Sequence, residues 1–311
     1  MATAADAVAP GIAVGPGIIW PKDRTVITDD RARICYTIVE PDGTPTGRTV
    51  ALLAGFLSPD TWWDRLVPTL TAAGHRVLLW HYRGIGGSTL PEDGSAALTV
   101  PLMAEDLRAV LDDAGIHQVD LLGHSIGVQV TLEAYRVLRS RVGRIALITG
   151  AADSPIRSLY GRGAVAAALY APLAAGARML IPPVRRLVWR TAWTRLPMWQ
   201  LGQLVRAYGP RTDGRLIDGY LAHAADLDPA YVLDLAAAVH THSALDLLPE
   251  IAVPTLIVAG GADPITPVGQ SELMAGSVRS STLRVVPHGT HGTLLEYPET
   301  VHGWILDLLD A

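Results

Sequence analysis

Short apolar runs alternate along much of the chain with longer segments whose apolar residues recur every three to four positions. The short runs have the length of buried strands, and the longer segments have the period of amphipathic helices. Such alternation favours a parallel sheet with right-handed crossovers. We therefore predict an α/β fold with a mostly parallel eight-stranded sheet flanked by helices. The predicted strands are Arg24–Thr28, Arg33–Val39, Thr49–Ala54, His75–Trp80, the run Val119–Leu122, Arg144–Thr149, Thr255–Ala259 and Ser281–Val286.

The alternation breaks between residues 153 and 242, where the pattern contains helices and loops but no convincing strand. The simplest organisation is a core over residues 23–152 and 243–311 that is interrupted by a helical cap insertion over 153–242. Residues 1–22 are rich in Ala, Gly and Pro and are predicted to be a loosely held leader. Helices are predicted to start at Ser58 and to cover Thr99–Ala114, Val268–Ser277 and Val301–Leu309.

One segment of this pattern has the arrangement strand, sharp turn, helix. The run Val119–Leu122 leads into Gly123-His124-Ser125-Ile126-Gly127, a G-x-S-x-G pentapeptide, and apolar residues at helical spacing follow. A serine nucleophile held on such a turn needs small flanking residues, because the turn crowds the backbone. The next helix aims its first N–H groups at the serine, where they can bind a developing oxyanion. Ser125 is therefore a candidate nucleophile.

A serine hydroxyl needs a base to take its proton and an acid to orient that base. On an α/β sheet these partners follow later strands in the order Ser, Asp or Glu, His. Asp263 follows the strand Thr255–Ala259, and His291 follows the strand Ser281–Val286. Because parallel strands present their carboxyl ends at one sheet edge, we predict that Ser125, Asp263 and His291 meet there as a catalytic triad.

Two other residues compete for the acid and base positions. Asp153 follows the strand Arg144–Thr149, and His288 lies nearer its own strand end than His291 does. Asp263 could alternatively serve as a helix cap.

The chain resembles the α/β-hydrolase family. The residues that carry the resemblance are the GHSIG elbow, Arg83-Gly84-Ile85-Gly86-Gly87-Ser88, Gly260-Gly261-Ala262-Asp263, and His291 followed by Glu296-Tyr297-Pro298-Glu299. The resemblance covers residues 49–152 and 243–311. It implies Ser125 as nucleophile, Asp263 as orienting acid and His291 as base.

The same resemblance implies an oxyanion hole formed by the backbone N–H groups of Phe56 and Ile126. Two supporting positions depart from the family pattern. Ala54-Gly55 stands where the family has His-Gly, and His81 stands where it has Asp before the tyrosine-arginine-glycine loop. These departures bear on loop geometry and substrate more than on the triad.

In this family an insertion such as residues 153–242 is typically a lid over the nucleophile. Four residues are candidates for the substrate pocket: Leu57 in the loop after a strand, His124 beside the nucleophile, and Trp189 and Trp193 in the insertion. His124 could instead pack beneath the elbow. His240 and His242, near the end of the insertion, receive no predicted role.

Composition excludes several classes of function. A formal net charge of −5 disfavours a nucleic-acid surface, and a single cysteine, Cys35, excludes an internal disulfide. No Cys/His cluster has zinc spacing, and the Gly84–Gly87 loop lacks the spacing and the lysine of a nucleotide site. No metal or other cofactor is predicted. The apolar start of the chain lacks a positive n-region, and no apolar run is long enough to span a membrane, so a cytoplasmic protein is expected.

The insertion has an unusual charge pattern. Residues 154–212 contain nine arginines and no Asp, Glu or Lys. A basic, tryptophan-bearing lid suits a substrate with a long acyl chain, or contact with a membrane surface or an acidic carrier. A solvated arginine-rich helix face is the simpler alternative.

The sequence therefore predicts a cofactor-independent serine hydrolase that cleaves a carboxylic ester of apolar acyl character through an acyl-enzyme. A thioesterase, an acyltransferase or a carbon–carbon-bond hydrolase would use the same triad. A non-hydrolytic tailoring or ligand-binding protein on this scaffold is the alternative from another class. The oligomeric state is left open.

Overall fold

Alternate residues of the central strands face two separate hydrophobic cores. The computed structural model describes residues 20–92, 98–159 and 163–311. Leu53 and Leu121 face one core, which contains Val100 and other residues of the long helices. Leu52 and Leu122 face the opposite core. This period of two is what a strand buried on both sides requires, so the sheet lies between two helical layers.

The sheet has eight strands in the order β1-β2-β4-β3-β5-β6-β7-β8. The first two pairings, β1 with β2 and β2 with β4, are antiparallel, and the remaining pairings are parallel. The predicted α/β class, strand number and mostly parallel character are confirmed. The strands are β1 Arg24–Ile27, β2 Arg33–Val39, β3 Thr49–Leu53, β4 Arg76–Trp80, β5 Val119–His124, β6 Val142–Ile148, β7 Thr255–Gly260 and β8 Ser281–Val286.

Six helices belong to the parts of the chain that carry the sheet, and five lie between β6 and β7 among the described residues. The first group is α1 Leu66–Ala72, α2 Val100–Asp113, α3 Gly127–Leu138, α9 Val268–Ser277, α10 Thr293–Glu296 and α11 Pro298–Asp310. The second group, here called the insertion helices, is α4 Gly163–Met179, α5 Pro182–Arg195, α6 Met198–Leu204, α7 Gly214–Asp226 and α8 Pro229–Thr241. None of the described helices is both long and apolar enough to cross a bilayer.

The helix expected from Ser58 is divided in two. A short 3-10 helix covers Asp60–Trp63, and α1 begins only at Leu66. Pro68 explains the break, because proline has no N–H for a helical bond and its ring clashes with the carbonyl four residues earlier. Proline is tolerated in the first turn of a helix, and α1 starts so as to place Pro68 there.

The expected leader is anchored at its end. Residues 1–19 lie outside the described part of the chain, but Lys22 is almost completely buried. Its ammonium group donates to both carboxylate oxygens of Asp60, at 2.9 and 2.8 Å. His81 lies 3.7 Å from the same carboxylate. Residues 20–22 are therefore fixed to the segment that follows β3, although their composition suggested a loose leader.

Candidate active site

Ser125 occupies a strained turn between β5 and α3. Its φ angle is 57°, in the left-handed region that residues other than glycine rarely adopt. Its N–H donates to the carbonyl of Ile148 at 3.0 Å, which fixes the turn to the neighbouring strand β6. The side chain is therefore presented at the carboxyl edge of the sheet.

The two flanking glycines are required by close backbone contacts. A Cβ atom at position 127 would lie 2.0 Å from the carbonyl oxygen of Leu53, and one at position 123 would lie 2.3 Å from the carbonyl oxygen of Gly127. Helix α3 can approach β3 and β5 this closely only because both side chains are absent. This contact is the local reason that the pentapeptide forms a sharp turn.

The three residues predicted as a triad lie in direct contact. Nε2 of His291, on the loop between β8 and α10, is 2.9 Å from Oγ of Ser125. Nδ1 of the same ring is 2.9 Å from Oδ2 of Asp263, which follows β7. The imidazole thus joins a hydroxyl to a carboxylate, an arrangement that can take the serine proton and stabilise the resulting imidazolium.

Asp263 is held by its own turn. Its Oδ1 accepts the N–H groups of Ile265 and Thr266, and its Oδ2 accepts the Thr266 hydroxyl at 2.8 Å. Burial alone would raise the pKa of Asp263, but the charge of His291 and these hydrogen bonds hold that pKa below its usual value. The carboxylate is therefore ionised at neutral pH and fixed in orientation.

Thr266 is a supporting residue that the sequence reasoning missed. Its hydroxyl also lies 3.3 Å from Nδ1 of His291. The signal was present in Asp263-Pro-Ile-Thr266, because an aspartate that accepts N–H groups two and three residues later is a standard turn element. The alternative role of Asp263 as a helix cap does not describe its position, since α9 begins only at Val268.

The loop that carries His291 is held from two sides. The carboxylate of Glu296 accepts the N–H and the hydroxyl of Thr290, and it also accepts the N–H of Gly209 from the insertion. The N–H of His291 itself donates to the carbonyl of Arg206 at 3.2 Å. The segment that leads from α6 to α7 therefore supports the imidazole that faces Ser125.

The rival acid is engaged elsewhere, and the rival base is exposed. The carboxylate of Asp153 accepts the N–H of Ser154 and pairs with Arg157 at 3.1 Å. His288 is exposed to solvent. Neither residue takes part in the contacts that join Ser125 to His291.

Two backbone N–H groups are free to bind an anion beside Ser125. Phe56 and Ile126 both line the cavity next to the serine. Within the described part of the chain, neither N–H is used in a hydrogen bond to another residue. Ile126 directly precedes α3, where the dipole of the helix favours negative charge. Phe56 and Ile126, which the resemblance implied as the oxyanion hole, thus lie at the cavity with these N–H groups unpaired, and their role stays a prediction.

His124 packs beneath the elbow. It is almost completely buried, and its Nε2 accepts the indole N–H of Trp62 at 3.1 Å. Its ring centroid lies 5.3 Å from that of His291. Burial, and to a lesser extent the neighbouring His291, lowers the pKa of His124 to about 3. The ring is therefore neutral at physiological pH and adds no second positive charge beside the imidazole of His291.

The other three candidate pocket residues also lie outside the cavity lining. Leu57 is buried in the core beneath its loop. Trp189 and Trp193 pack against each other and against that core, and the indole N–H of Trp189 donates to the carbonyl of Ala224 at 2.8 Å. The two tryptophans fasten α5 to α7.

A cavity of about 480 Å³ opens directly beside Ser125. Its lining is predominantly apolar, with contributions from the loop after β3, from α3, from the insertion helices α4 and α8, and from the segment after Asp263. Sequence reasoning missed Gln129, Tyr170 and His240, since a position in the lining depends on how the insertion sits on the core. The described lining residues are Phe56, Ser125, Ile126, Gln129, Ala151, Pro155, Ile156, Leu159, Leu169, Tyr170, Leu173, Ala236, Val239, His240, Ile265 and Thr266.

The polar groups of this lining are only partly engaged with the protein, because Oε1 of Gln129 and Nδ1 of His240 are buried without a hydrogen-bond partner among the described residues. The amide NH₂ of Gln129 donates to the carbonyls of Asp153 and Val239, at 3.1 and 3.3 Å. The ring of His240 packs edge-on against Tyr170, with centroids 4.6 Å apart. Among residues 20–92, 98–159 and 163–311, no group of three or more His, Cys, Asp or Glu side chains could hold a metal ion.

Comparison with known proteins gives a consistent family. A carbamate hydrolase of Variovorax paradoxus, provisionally assigned as RutD, is 25% identical over 273 residues, which cover 87% of this chain and 94% of the relative. Epoxide hydrolase A of Mycobacterium tuberculosis is 32% identical over 129 residues, covering 42% of this chain and 38% of the relative. These relatives support a hydrolase.

Solved structures share the fold. A hydrolase from Pseudomonas aeruginosa superimposes with a TM-score of 0.72 at 24% identity, covering 93% of this chain and 98% of the other. An esterase from Exiguobacterium antarcticum gives 0.69 at 20% identity, covering 92% and 99%. The model of the alpha/beta hydrolase fold matches residues 50–298, which include Ser125, Asp263 and His291. The chain therefore belongs to the α/β-hydrolase family.

Proposed function

We propose that the protein is a serine hydrolase that cleaves carboxylic esters with an apolar acyl group. The observation that carries this proposal is the pair of 2.9 Å contacts from His291, one to the Ser125 hydroxyl and one to the Asp263 carboxylate. A buried, ionised carboxylate behind the imidazole favours proton transfer from the serine, since it stabilises the imidazolium that forms.

The reaction follows from this geometry in two stages. In the first, His291 takes the Ser125 proton while Oγ attacks the ester carbonyl. The N–H groups of Phe56 and Ile126 bind the oxyanion, each worth about 3 kcal/mol of transition-state stabilisation. His291 then gives its proton to the departing alcohol, which leaves an acyl-enzyme. In the second stage, water loses a proton to His291 and attacks the acyl carbonyl. His291 then returns that proton to Oγ of Ser125 as the bond between Oγ and the acyl carbon breaks, which releases the acid.

The preference for an apolar acyl group rests on the cavity. Its volume of about 480 Å³ is within the range of about 300–1,000 Å³ that is typical of small-molecule sites. Aliphatic side chains such as Ile156, Leu169 and Leu173 form much of its wall. An apolar chain in this space leaves water without losing hydrogen bonds, whereas a charged acyl group would be desolvated without compensation.

Two measurements test the proposal. A fluorophosphonate probe should label the wild-type protein covalently and fail to label Ser125→Ala. Absence of labelling in the folded wild type would contradict a serine nucleophile and favour a non-hydrolytic binding protein. Hydrolysis of p-nitrophenyl esters from acetate to palmitate should then show kcat/KM rising with chain length. A strict preference for acetate would contradict the proposed acyl cavity while leaving the nucleophile intact.

A further inference from the structure

The surface of the insertion exposes aliphatic side chains to an unusual degree. Of the seventeen exposed large hydrophobic side chains in the described residues, twelve lie between positions 165 and 204, on α4, α5, α6 and their connections. Met179 and Leu204 are 85% and 80% exposed. Monomeric proteins rarely leave large apolar areas open to water, and such areas commonly mark a contact surface.

Helix α5 has a defined outward face. At 3.6 residues per turn, Val184, Leu187 and Val188 form one apolar stripe, and all three are exposed. Arg190, also exposed, borders that stripe on one side, and the exposed Arg186 lies one turn before Arg190 and further from the stripe. The opposite side carries Trp189 and Trp193, which pack against the core. This packing determines which side of α5 faces outward.

The charge contributed by the segment 154–212 is of one sign, and acidic residues of α8 neutralise part of it. Nine arginines and no acidic residue occur in residues 154–212, although the whole chain has a net charge of −5. Arg178 and Arg186 form exposed ion pairs with Asp234 and Asp228 of α8. Arg190 has no ion-pair partner among the described residues. The stripe is thus apolar at its centre and positive at its border.

We propose that this outward surface of α4 and α5 docks on an anionic lipid bilayer. Aliphatic side chains would enter the interface between headgroups and acyl chains while the arginines contact phosphate groups, as in helices that lie in the membrane plane. On α4 this surface reaches the cavity beside Ser125, because Leu169 and Leu173 are both exposed and line it. An apolar molecule could thus pass between bilayer and cavity without crossing water.

Two other occupants fit less well. A two-fold contact between copies of this chain would bring the same patch of each copy together, and the arginines of one would face those of the other. Protein interfaces are enriched in aromatic residues, whereas the exposed side chains here are aliphatic and the neighbouring Trp189 and Trp193 point inward. The acyl chains of a bilayer, by contrast, can adapt to an irregular aliphatic surface, so a bilayer fits this surface better than a protein partner does.

Vesicle sedimentation tests the proposal with the full chain. The wild type should sediment with phosphatidylglycerol vesicles, and it should bind at least about tenfold more weakly to phosphatidylcholine vesicles or at high salt. Arg186→Glu/Arg190→Glu should weaken binding to the anionic vesicles at least about thirtyfold. Leu187→Ser/Val188→Ser should weaken it as well, because the apolar contact is lost.

The matched control is Arg279→Glu/Arg284→Glu. These arginines are exposed on the sheet core, and the change in net charge is the same. The control should bind phosphatidylglycerol vesicles like the wild type, and thermal melting should verify that every variant is folded. The proposal would be overturned if Arg186→Glu/Arg190→Glu bound phosphatidylglycerol vesicles as tightly as the wild type does. It would also be overturned by failure of the wild type to bind anionic vesicles while it binds an acidic polypeptide such as polyglutamate.

Discussion

A leucine of the sheet core and a leucine of helix α5 are in opposite environments. Leu78 on β4 is completely buried, whereas Leu187 on α5 is 67% exposed. Both lie in segments that are rich in apolar residues. In the core, each apolar residue has a layer of helices or strands to cover it. On the insertion, no described part of the chain covers the outward side of α5, and side chains such as Met179 at the end of α4 are also exposed.

The comparison also distinguishes the residues proposed to carry out the reaction from those that form the wall of the cavity. Ser125, Asp263 and His291 all follow strands of the core. The insertion contributes wall residues to the cavity, and its segment 206–209 supports the His291 loop. Variants of the core edge should therefore act on the reaction itself, and variants of the exposed α5 stripe, which lies outside the cavity lining, should leave the reaction unchanged.

The largest effect is expected at the core edge. His291→Ala should lower kcat for a p-nitrophenyl ester about a millionfold, because the serine loses its proton acceptor. Asp263→Asn should lower it about ten-thousandfold, since the imidazole loses its orientation and its counter-charge. His288→Ala and Asp153→Asn are matched controls and should stay near the wild-type rate. A large loss in either control, with His291→Ala or Asp263→Asn active, would reassign the base or the acid.

The next largest effect is the loss of free energy of unfolding when a buried leucine is truncated. Leu78→Ala should lower the free energy of unfolding by about 2–5 kcal/mol, because it leaves a cavity in the core. Leu187→Ala should change it by no more than about 0.5 kcal/mol, as expected for an exposed side chain. Urea denaturation at equilibrium compares the two variants. A loss of several kcal/mol in Leu187→Ala would mean that the outward face of α5 is covered in solution.

An intermediate effect is the change in the free energy of unfolding with pH. The pKa of His124 is lowered to about 3 in the folded protein, from a usual value of 6.5. Between these values the unfolded chain binds a proton that the folded chain excludes, so the free energy of unfolding falls as the pH falls. From pH 7 to pH 5 this single group should remove about 2 kcal/mol.

His124→Asn tests that titration. The urea midpoint of this variant should change less between pH 7 and pH 5 than that of the wild type. His288→Asn, at an exposed position, should retain the wild-type dependence. An unchanged dependence in His124→Asn would show that the buried ring beside His291 does not titrate as described.

The smallest effect tests how the insertion is attached. Trp189→Phe removes the hydrogen bond to the Ala224 carbonyl and should lower the free energy of unfolding by about 1 kcal/mol. Because Trp189 lies outside the cavity lining, the preference for acyl chain length should not change. A shift in that preference would place the tryptophan at the substrate after all.

The sequence predicted the core well because each of its signals is local. Alternation of strand and helix, a G-x-S-x-G turn, and an aspartate and a histidine after later strands are sufficient to predict a mostly parallel sheet of eight strands and to place Ser125 and His291 at one edge of it. The divided helix at Asp60–Trp63 and α1 depended on Pro68, whose effect on a first turn is also local and could have been anticipated.

The rest depends on contacts between distant segments. The pairing of Lys22 with Asp60 joins residues 38 positions apart, and the composition of residues 1–22 contains no sign of it. The places of Gln129 and His240 in the cavity follow from how α8 sits on α3. The tryptophans of α5 were expected in the pocket because they are apolar and lie on the insertion. In the structure these two side chains point inward, pack against each other and against the core, and lie outside the cavity lining.

The carbonyl of Arg206 and the N–H of Gly209 have a consequence for any shortened version of this protein. Both groups bond to the loop of His291 or to Glu296 at its end. An excision that joined β6 directly to β7 would keep all eight strands and remove two groups that hold the loop of His291. A trimmed protein that is meant to keep its reactivity should therefore retain residues 206–209 and whatever holds them in place.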